Sequence, residues 1–292
     1  MSCFSNVVQF TVLHGRHWRT KLHFYFVGNL HINIIFCYFC QTHIGHGCDC
    51  VRMVMILCQS MKNLVFLTGA GMSAESGIST FRDAGGLWEN YPVEQVASID
   101  GYERNPELVI CFYNGLRKKL LEALPNEGHR LVAKLEEKYN TTVVTQNIDD
   151  LHERAGSSHV VHLHGELMKA TSSRNPNDKR CIVDLPADNP VIRMGDKAAD
   201  GSQLRPFIVW FGEAVPEMEK AVEVASKADI FVVIGTSLNV YPAAGLINYV
   251  PAHAKMFLID PKPVKLPYGI DVKVIQKGAS EGMKELCAIL DE

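Results

Sequence analysis

Residues 64–88 of the chain read LVFLTGAGMSAESGISTFRDAGGLW. A short apolar run at 64–67 leads into a glycine-containing turn and then into small residues that form hydrogen bonds. Glycine takes backbone angles closed to other residues and lets a ligand approach the main chain, while free N–H groups at a helix start attract an anion. We therefore expect Gly69 and Gly71 to form a nucleotide phosphate site. A G-x-G without the full G-x-G-x-x-G spacing is weak evidence by itself, and the alternative is a tight strand-to-helix turn with no ligand.

The composition is that of an ordinary globular protein. The chain has 292 residues, of which 47% are hydrophobic and 21% charged, and its net charge is -3. This length allows one large or two modest domains. There is no basic excess of the kind that nucleic-acid binding requires, and no uninterrupted apolar segment of about 18 residues that would suggest a membrane span. We therefore expect neither nucleic acid nor a membrane as a partner.

The composition changes at Met61. Residues 1–60 contain six of the nine cysteines and six of the twelve histidines, but only one acidic residue, Asp49. Without the four basic and one acidic residues of this leader, residues 61–292 have 25 basic against 31 acidic residues and a net charge of -6. We expect residues 1–60 to be an atypical leader outside the functional domain.

Three interpretations of the leader remain open. The leader is an arginine-containing, acid-poor targeting segment or a zinc cluster, or translation in fact begins at Met61 and residues 1–60 come from a start assigned too far upstream. The zinc interpretation rests on side chains of the right ligand types, namely Cys37, Cys40, His43, His46, Cys48 and Cys50. The remaining cysteines, Cys111, Cys181 and Cys287, are too few for a disulfide framework, and this usage favours a reducing cytoplasm.

Predicted strands and helices alternate after Met61. Apolar or β-branched runs predict strands at 64–67, 141–146, 160–163, 230–234, 256–259 and 272–275. Apolar residues at helical spacing predict helices at 106–123, after Pro125 and at about 280–291. This alternation predicts an α/β fold with a Rossmann-like, doubly wound parallel sheet. Ligands bind such sheets at the carboxyl ends of the strands, so we expect the polar residues after each strand to share one site.

Five motifs in order identify a resemblance to a known family. They are GAGMSAESGISTFR (69–82), TQNID (145–149), HGE (164–166), FGE (211–213) and GTS (235–237). In order and spacing they resemble the sirtuin family, the NAD-dependent protein-lysine deacylases. The resemblance covers nearly all of 61–292 and none of the leader. Within the family the chain is most similar to the bacterial cytosolic branch, which groups with the desuccinylase-type class.

The resemblance implies an activity and a domain organisation. The catalytic domain is 61–292, with a Rossmann-like NAD-binding core at 61–165 and 207–292 and a small inserted module at 166–206. NAD is the co-substrate, and the acyl group of an acyl-lysine in a protein is transferred to ADP-ribose while nicotinamide is released. The alternative is mono-ADP-ribosyl transfer from the same NAD site. We expect a cytoplasmic enzyme and favour a monomer.

The resemblance also assigns residues. His164 matches the catalytic base, Asn147 the residue that holds the ribose and a water, and Asp149 the residue that binds the nicotinamide amide. Positions that match the NAD site are Gly69, Ala70, Gly71, Ser73, Ser76, Phe81, Arg82, Gln146, Asn147, Ile148, Asp149, Gly235, Thr236, Ser237, Asp260 and Ala279. Positions that match the acyl-peptide site are Ala84, Tyr113, Val209, Phe211, Gly212, Asn239 and Tyr241.

The sequence departs from the family pattern at two places. The inserted module contains Cys181 alone, where most sirtuins have two cysteine pairs that bind zinc, so we predict no structural zinc there. Relatives that remove acidic acyl groups have a Tyr-x-x-Arg pair. Here Tyr113 is followed by Leu116 at the arginine position and by Arg117 one residue later, a rotation of about 100 degrees on a helix. Arg117 either points away from the acyl pocket or reaches around its rim, so removal of acetyl and of succinyl groups both remain open.

Overall fold

The structure is a computed structural model that describes residues 61–80, 91–265 and 269–291, together with the backbone of three strands in the leader. The chain divides into two compact units, 1–61 and 62–292. In the first unit, β1 (Val7–His14), β2 (Trp18–Tyr25) and β3 (Phe36–Tyr38) form an antiparallel sheet in the order β1-β2-β3. The cysteine and histidine side chains of the leader lie outside the described residues, so its three interpretations stay predictions.

The second unit is built around a six-stranded parallel sheet. The strands of this unit, which include three outside the parallel sheet, are in chain order β4 (Asn63–Thr68), β5 (Asn140–Thr145), β6 (Val160–His162), β7 (Gly165–Ser172), β8 (Val183–Asp184), β9 (Leu204–Ile208), β10 (Ile230–Ile234), β11 (Lys255–Ile259) and β12 (Lys273–Ile275). The parallel sheet has the order β12-β11-β10-β4-β5-β6. The first strand lies in the centre and the chain winds outward in both directions from it, which confirms the predicted Rossmann-like topology.

The helices of this unit cover both faces of the sheet. They are α1 (Ala70–Ser73), α2 (Val93–Val96), α3 (Ile99–Arg104), α4 (Pro106–Glu122), α5 (Glu127–Lys134), α6 (Leu151–Arg154), α7 (Met218–Ala225) and α8 (Ala279–Asp291). The predicted helices at 106–123 and 280–291 are confirmed within one residue. Asn105 caps α4 by accepting the Leu108 N–H, and Pro106 occupies the first turn, where a missing N–H is tolerated. No described helix is long and apolar enough to span a membrane.

The core has a layer on each face of the sheet. Val65 and Leu67 of β4 pack with α7 on one face, whereas Leu64 and Phe66 pack with α5 and α8 on the other. Because both faces are covered, the central strands are apolar along their whole length. This explains why unbroken apolar runs marked these strands in the sequence.

The inserted module is a small antiparallel sheet in the order β8-β7-β9. Residues 171–206 are rich in Ser, Asn, Asp, Pro and Gly and have little periodicity, which predicts an irregular loop. This prediction is right for most of 173–203 but wrong at the two ends, because β7 continues to Ser172 and β9 begins at Leu204. The backbone N–H and C=O groups at the two ends of the module are satisfied by pairing between β7 and β9. The periodicity of the sequence did not reveal this pairing. Cys181 is buried here as a free thiol.

A carboxylate joins the two ends of the module. Ser172, at the end of β7, donates a 2.6 Å hydrogen bond from Oγ to Asp200 Oδ2, and Ser202 donates one of 2.6 Å from Oγ to Oδ1. The Ser202 backbone N–H adds a third bond to Oδ1 at 3.0 Å. Hydrogen bonds from Ser172 and Ser202 lower the pKa of Asp200 to about 2. The charged carboxylate thus cross-links 172 and 200–202 in a module with no group of three or more metal-ligand side chains among its described residues.

Replacement of Asp200 by Asn is expected to destabilise the protein at neutral pH, since a neutral amide cannot accept all three hydrogen bonds. The folded-state pKa is below the ordinary 3.8, so the stabilisation is present above about pH 4 and is lost as the pH falls toward about 2. The difference in melting temperature between wild type and Asp200→Asn should therefore narrow between pH 5 and about 2.5. Asp188→Asn, an exposed site in the same module, is the control. A pH-independent difference would contradict this account.

Candidate active site

A cleft lies at the carboxyl ends of the parallel strands and has a volume of about 540 Å³. Residues that follow β4, β5, β6, β10, β11 and β12 all contribute to its walls. Its centre is the point where the chain leaves β4 and β10 in opposite directions, which is where such folds bind ligands. The predicted residues that line the cleft are Gly69, Ala70, Gly71, Tyr113, Gln146, Asn147, Ile148, His164, Val209, Phe211, Gly212, Gly235, Thr236, Ser237, Tyr241 and Asp260.

The glycine turn is needed for a contact between two chain segments. The N–H of Gly71 donates to the carbonyl of Gly235 at 2.9 Å, and a Cβ on Gly71 would lie 2.6 Å from the Gly235 Cα. Gly235 has a φ of +61°. Gly69 is extended and the left-handed residue at this contact is Gly235, so the turn needs its glycines for the close approach to Gly235 and not for unusual backbone angles. The N–H of Gly71 is bonded to Gly235, so it is not one of the free N–H groups that an anion could meet at the helix start.

Asn147 is held in place by a set of buried hydrogen bonds after β5. Its side-chain Nδ2 donates to the Gly69 carbonyl at 3.0 Å and to Ser73 Oγ at 3.1 Å. Ser73 Oγ in turn donates to Asp149 Oδ2 at 2.9 Å. Burial raises the pKa of Asp149, and the hydrogen bond from Ser73 opposes this shift. Asn147 thus faces the cleft, whereas Asp149 and Ser73 lie directly behind it.

His164 follows β6 and lines the cleft. Its Nδ1 is 2.9 Å from the Gln146 carbonyl oxygen, and because a carbonyl can only accept, Nδ1 carries the proton. In the neutral ring this leaves the Nε2 lone pair as the basic site. Burial lowers the pKa of His164, and the bond to Gln146 only partly offsets it. The ring is therefore neutral at physiological pH.

His162, two residues earlier on the chain, has the opposite electrostatic environment. Its Nε2 is 2.7 Å from Glu153 Oε1, and its Nδ1 is 3.1 Å from the Asn147 carbonyl oxygen. Burial lowers its pKa, but the hydrogen bond and charge of Glu153 outweigh burial and raise the pKa overall. The carbonyl oxygen and the carboxylate can only accept, so both ring nitrogens of His162 carry protons and neither has a lone pair to offer.

The wall opposite the glycine turn is formed by residues 209–213. The Trp210 indole N–H donates to the Tyr113 hydroxyl at 2.9 Å, and the Arg205 guanidinium lies 3.7 Å from the Trp210 ring centroid. Arg205 forms a two-point ion pair with Glu213, both contacts being 2.8 Å. The backbone N–H and carbonyl of Phe211 are already bonded to Ala97 and Ile99. An added peptide strand thus cannot pair with Phe211 itself, and its half-exposed ring remains as the contact it offers.

The structure decides the direction of Arg117. Its side chain is fully buried away from the cleft, where Nε donates to the Leu167 carbonyl at 2.8 Å and Nη1 to Asn114 Oδ1 at 2.6 Å. Leu116 lines the cleft in its place, next to Tyr113 and Phe112. The alternative in which Arg117 reaches around the rim of the pocket is wrong.

Several predicted residues do not line the cleft. Ser76 accepts a hydrogen bond from Asn126, Asn239 is exposed, and Ala279 is buried at the start of α8 beside Gly278, which does line the cleft. Three further predicted residues, Phe81, Arg82 and Ala84, lie outside the described residues.

Sequence reasoning missed part of the surroundings of the site. Asn126, the cap of α5, donates from Nδ2 to the Met72 carbonyl at 2.8 Å and to Ser76 Oγ at 3.1 Å, so it supports the turn after β4. Trp210 and Glu213 lie inside or beside predicted motifs, but their contacts with Tyr113 and Arg205 depend on how the module packs. The position of Asn126 just before a helix was a signal for capping, not for support of the cleft.

A family model described as the Sir2 family matches residues 69–242. An NAD-dependent protein deacylase of Bacteroides thetaiotaomicron is 66% identical over 230 residues, which cover 79% of this chain and 98% of that relative. The chain belongs to the Sir2 family. The resemblance to sirtuins in the sequence is therefore confirmed.

Other members of the Sir2 family are similar to this chain in sequence and in fold. An NAD-dependent protein deacylase of Helicobacter pylori is 47% identical over 232 residues, or 80% of this chain and 99% of that relative. A Sir2 homologue solved in complex with ADP-ribose has a TM-score of 0.71 and 37% identity, and covers 79% of this chain and 92% of its own. A Sir2 homologue in complex with NAD has a TM-score of 0.70 and 37% identity over 79% of this chain and 90% of its own.

The two histidines of this Sir2 protein are expected to titrate on opposite sides of pH 6.5. Burial makes His164 lose its proton below that value, whereas Glu153 keeps His162 protonated above it. The ring C–H resonances of both histidines, followed by NMR against pH, give both midpoints. Glu153→Gln should lower the midpoint of His162 and leave that of His164 nearly unchanged. A midpoint for His164 at or above 6.5 would show that the assigned environments are wrong.

Proposed function

We propose that this cleft removes acyl groups from lysine side chains of proteins with NAD as co-substrate. The Sir2 family chain is an NAD-dependent protein deacylase: NAD, acyl-lysine and water give nicotinamide, lysine and O-acyl-ADP-ribose. The observation that carries the proposal is a neutral His164 whose Nε2 is left basic in the same cleft as Asn147 and the glycine turn. A protein that only binds ADP-ribose has no need of such a base.

His164 is proposed to act as general base on a ribose hydroxyl. Its Nδ1–H bond to Gln146 fixes the ring orientation and the tautomer, so Nε2 is ready to take a proton without a change of protonation elsewhere. A lowered pKa keeps this site unprotonated at neutral pH. His162 is excluded from the role because both of its ring nitrogens are already bonded.

The residues after β4, β5 and β10 are proposed to hold NAD. Asn147 presents its amide at the cleft wall for the ribose, and Gln146 is fixed by its 3.1 Å bond to Thr236 Oγ1. Asp149 would contribute mainly by orienting Ser73 and thus Asn147 in the arrangement seen here. Lys262 and Asp260, after β11, line the far end, where the adenosine half is expected.

His164→Ala is expected to reduce kcat/KM for deacylation by at least about 100-fold, because general base catalysis contributes about 10²–10⁴ in rate. The fold should be retained, since the ring makes one hydrogen bond in the described structure. Mass spectrometry of an acylated peptide incubated with NAD gives free lysine and O-acyl-ADP-ribose directly, and His253→Ala, at an exposed site, is the control.

Two outcomes would count against the proposal. Full activity of His164→Ala would remove His164 as the base. Transfer of ADP-ribose to protein without formation of free lysine would favour mono-ADP-ribosyl transfer, which uses the same NAD cleavage with another acceptor.

Within this activity we propose a preference for uncharged acyl groups over acidic ones. The wall of the cleft beside Tyr113 is apolar and includes Phe112, Leu116 and Ile208. The nearest arginine in sequence, Arg117, is committed elsewhere. Lys262 is the lysine or arginine among the described lining residues. It follows β11, toward the opposite edge of the sheet from His164, which follows β6. A carboxylate bound near Tyr113 would therefore lose its hydration without a charged partner among the lining residues that the structure describes.

Leu116→Arg is expected to raise kcat/KM for a succinyl-lysine peptide relative to an acetyl-lysine peptide. A hydrogen bond to a charged group is worth about 1.5–3 kcal/mol, which corresponds to about 10-fold to 100-fold in this ratio. Leu116→Gln tests for polarity without charge and should change the ratio little. The proposal fails if the wild type prefers succinyl-lysine, or if Leu116→Arg leaves the ratio unchanged.

We also propose a cytoplasmic, monomeric protein that does not bind nucleic acid or membranes. Three free cysteines in the described residues and the net charge of -6 for 61–292 support this.

A further inference from the structure

A chain of buried hydrogen bonds leads from His152 to the main chain of Asn147. The Nε2 of His152, on α6, is 3.2 Å from Thr68 Oγ1 at the end of β4. Thr68 Oγ1 donates to Thr145 Oγ1 at 2.8 Å, and Thr145 Oγ1 accepts the Asn147 N–H at 3.0 Å. All four residues are buried. Thr68 and Thr145 are partners in the register of β4 and β5, so the backbone of the sheet already places their hydroxyls side by side.

The protons of this chain have a fixed direction. Thr68 has one hydroxyl proton and gives it to Thr145, so it must accept from His152, whose Nε2 therefore carries a proton. The Nδ1 of His152 is then unprotonated, and its lone pair has no hydrogen-bond partner among the described residues. Burial, with the nearby His129 and His162, keeps the pKa of His152 well below its usual value. The neutral ring thus acts as a donor that prevents the Thr68 hydroxyl from rotating toward it.

A second histidine connects the same region to the turn after β4. The rings of His129 and His152 meet edge to face, with centroids 4.8 Å apart. His129 Nδ1 accepts the Asn126 N–H at 3.3 Å, and Asn126 holds the Met72 carbonyl. Burial lowers the pKa of His129 to about 4. The turn after β4, which holds the Asn147 side chain, and the segment that carries Asn147 are therefore each connected to a neutral histidine.

We propose that His152 is a positioning residue for Asn147, acting through Thr68 and Thr145. The series of hydrogen bonds fixes the backbone of Asn147. The side-chain amide then stays bonded to Gly69 and Ser73 and directed along the cleft wall. His152 touches neither NAD nor the acyl-lysine, since it is fully buried and does not line the cleft. The inference rests on the proposed function only in that Asn147 is taken to contact NAD.

Matched variants separate positioning from packing. Thr68→Val removes the hydroxyl with little change in shape, whereas Thr68→Ser keeps it. His152→Phe removes the donor, whereas His152→Gln keeps an N–H near the same place. We expect Thr68→Val and His152→Phe to lower kcat/KM for nicotinamide release from NAD by about tenfold. Thr68→Ser and His152→Gln should change it by less than about threefold. The same loss of kcat/KM in Thr68→Ser and His152→Gln as in Thr68→Val and His152→Phe would overturn the inference.

Asn147→Ala tests whether the effect passes through Asn147. If it does, Thr68→Val should cost much less in the Asn147→Ala background than alone, because residues in one hydrogen-bond network are not additive. Fully additive losses in rate would overturn the inference. A fall in melting temperature with unchanged kcat and KM for NAD would show a purely structural role and also overturn it.

A measurement without catalysis distinguishes this inference from the proposed function. Hydrogen exchange of the Asn147 backbone amide, followed by NMR, should speed up by about tenfold in Thr68→Val and His152→Phe and stay near wild type in Thr68→Ser and His152→Gln. If wild type releases no nicotinamide, the proposed function fails, but the exchange result still decides the positioning role. Equal exchange in all four variants and wild type would overturn it.

Discussion

The close contact between the Gly69–Gly71 turn and Gly235 is the constraint on which the site depends. β4 and β10 are neighbours in the sheet, and the segments that leave them cross within hydrogen-bond distance. A side chain at Gly71 would displace the backbone of Gly235, and at Gly235 it would strain a left-handed residue. Because this crossing is tight, the polar residues after β4, β5 and β10 converge on one cleft instead of spreading along the sheet edge.

The histidines of the second unit differ in protonation because their surroundings differ. His162 pairs with Glu153 and stays charged, whereas His164 donates to a carbonyl and keeps a basic nitrogen. His129 and His152 are buried against one another and stay neutral. The sequence position of a histidine therefore says little about its protonation, which follows from the donor or acceptor that each ring nitrogen meets.

Much of the fold was predictable from the sequence because its signals are local. Continuous apolar runs such as 230–234 follow from a sheet covered on both faces, and Asn105 with Pro106 marks a helix start. Their motifs and their place after strands predicted that Asn147 and His164 share one site, and both line the cleft.

What the sequence could not reveal depends on packing between distant segments. The helical spacing of Leu116 and Arg117 showed that they point in different directions, but not which of them faces the cleft. That was decided by the Leu167 carbonyl, 50 residues away. The bond between Thr68 and Thr145 depends on strand register, and the role of Gly71 on the crossing with Gly235, so neither had a signal of its own.

The buried guanidinium of Arg117 has a consequence for how such proteins diverge. Because Arg117 joins α4 to β7 through the Leu167 carbonyl, it serves the scaffold, whereas the adjacent Leu116 lines the cleft. The anchor of the helix and the wall of the cleft are thus assigned to adjacent residues that point in different directions. A substitution at 116 can therefore change the cleft wall without disturbing the anchor that keeps the helix in place.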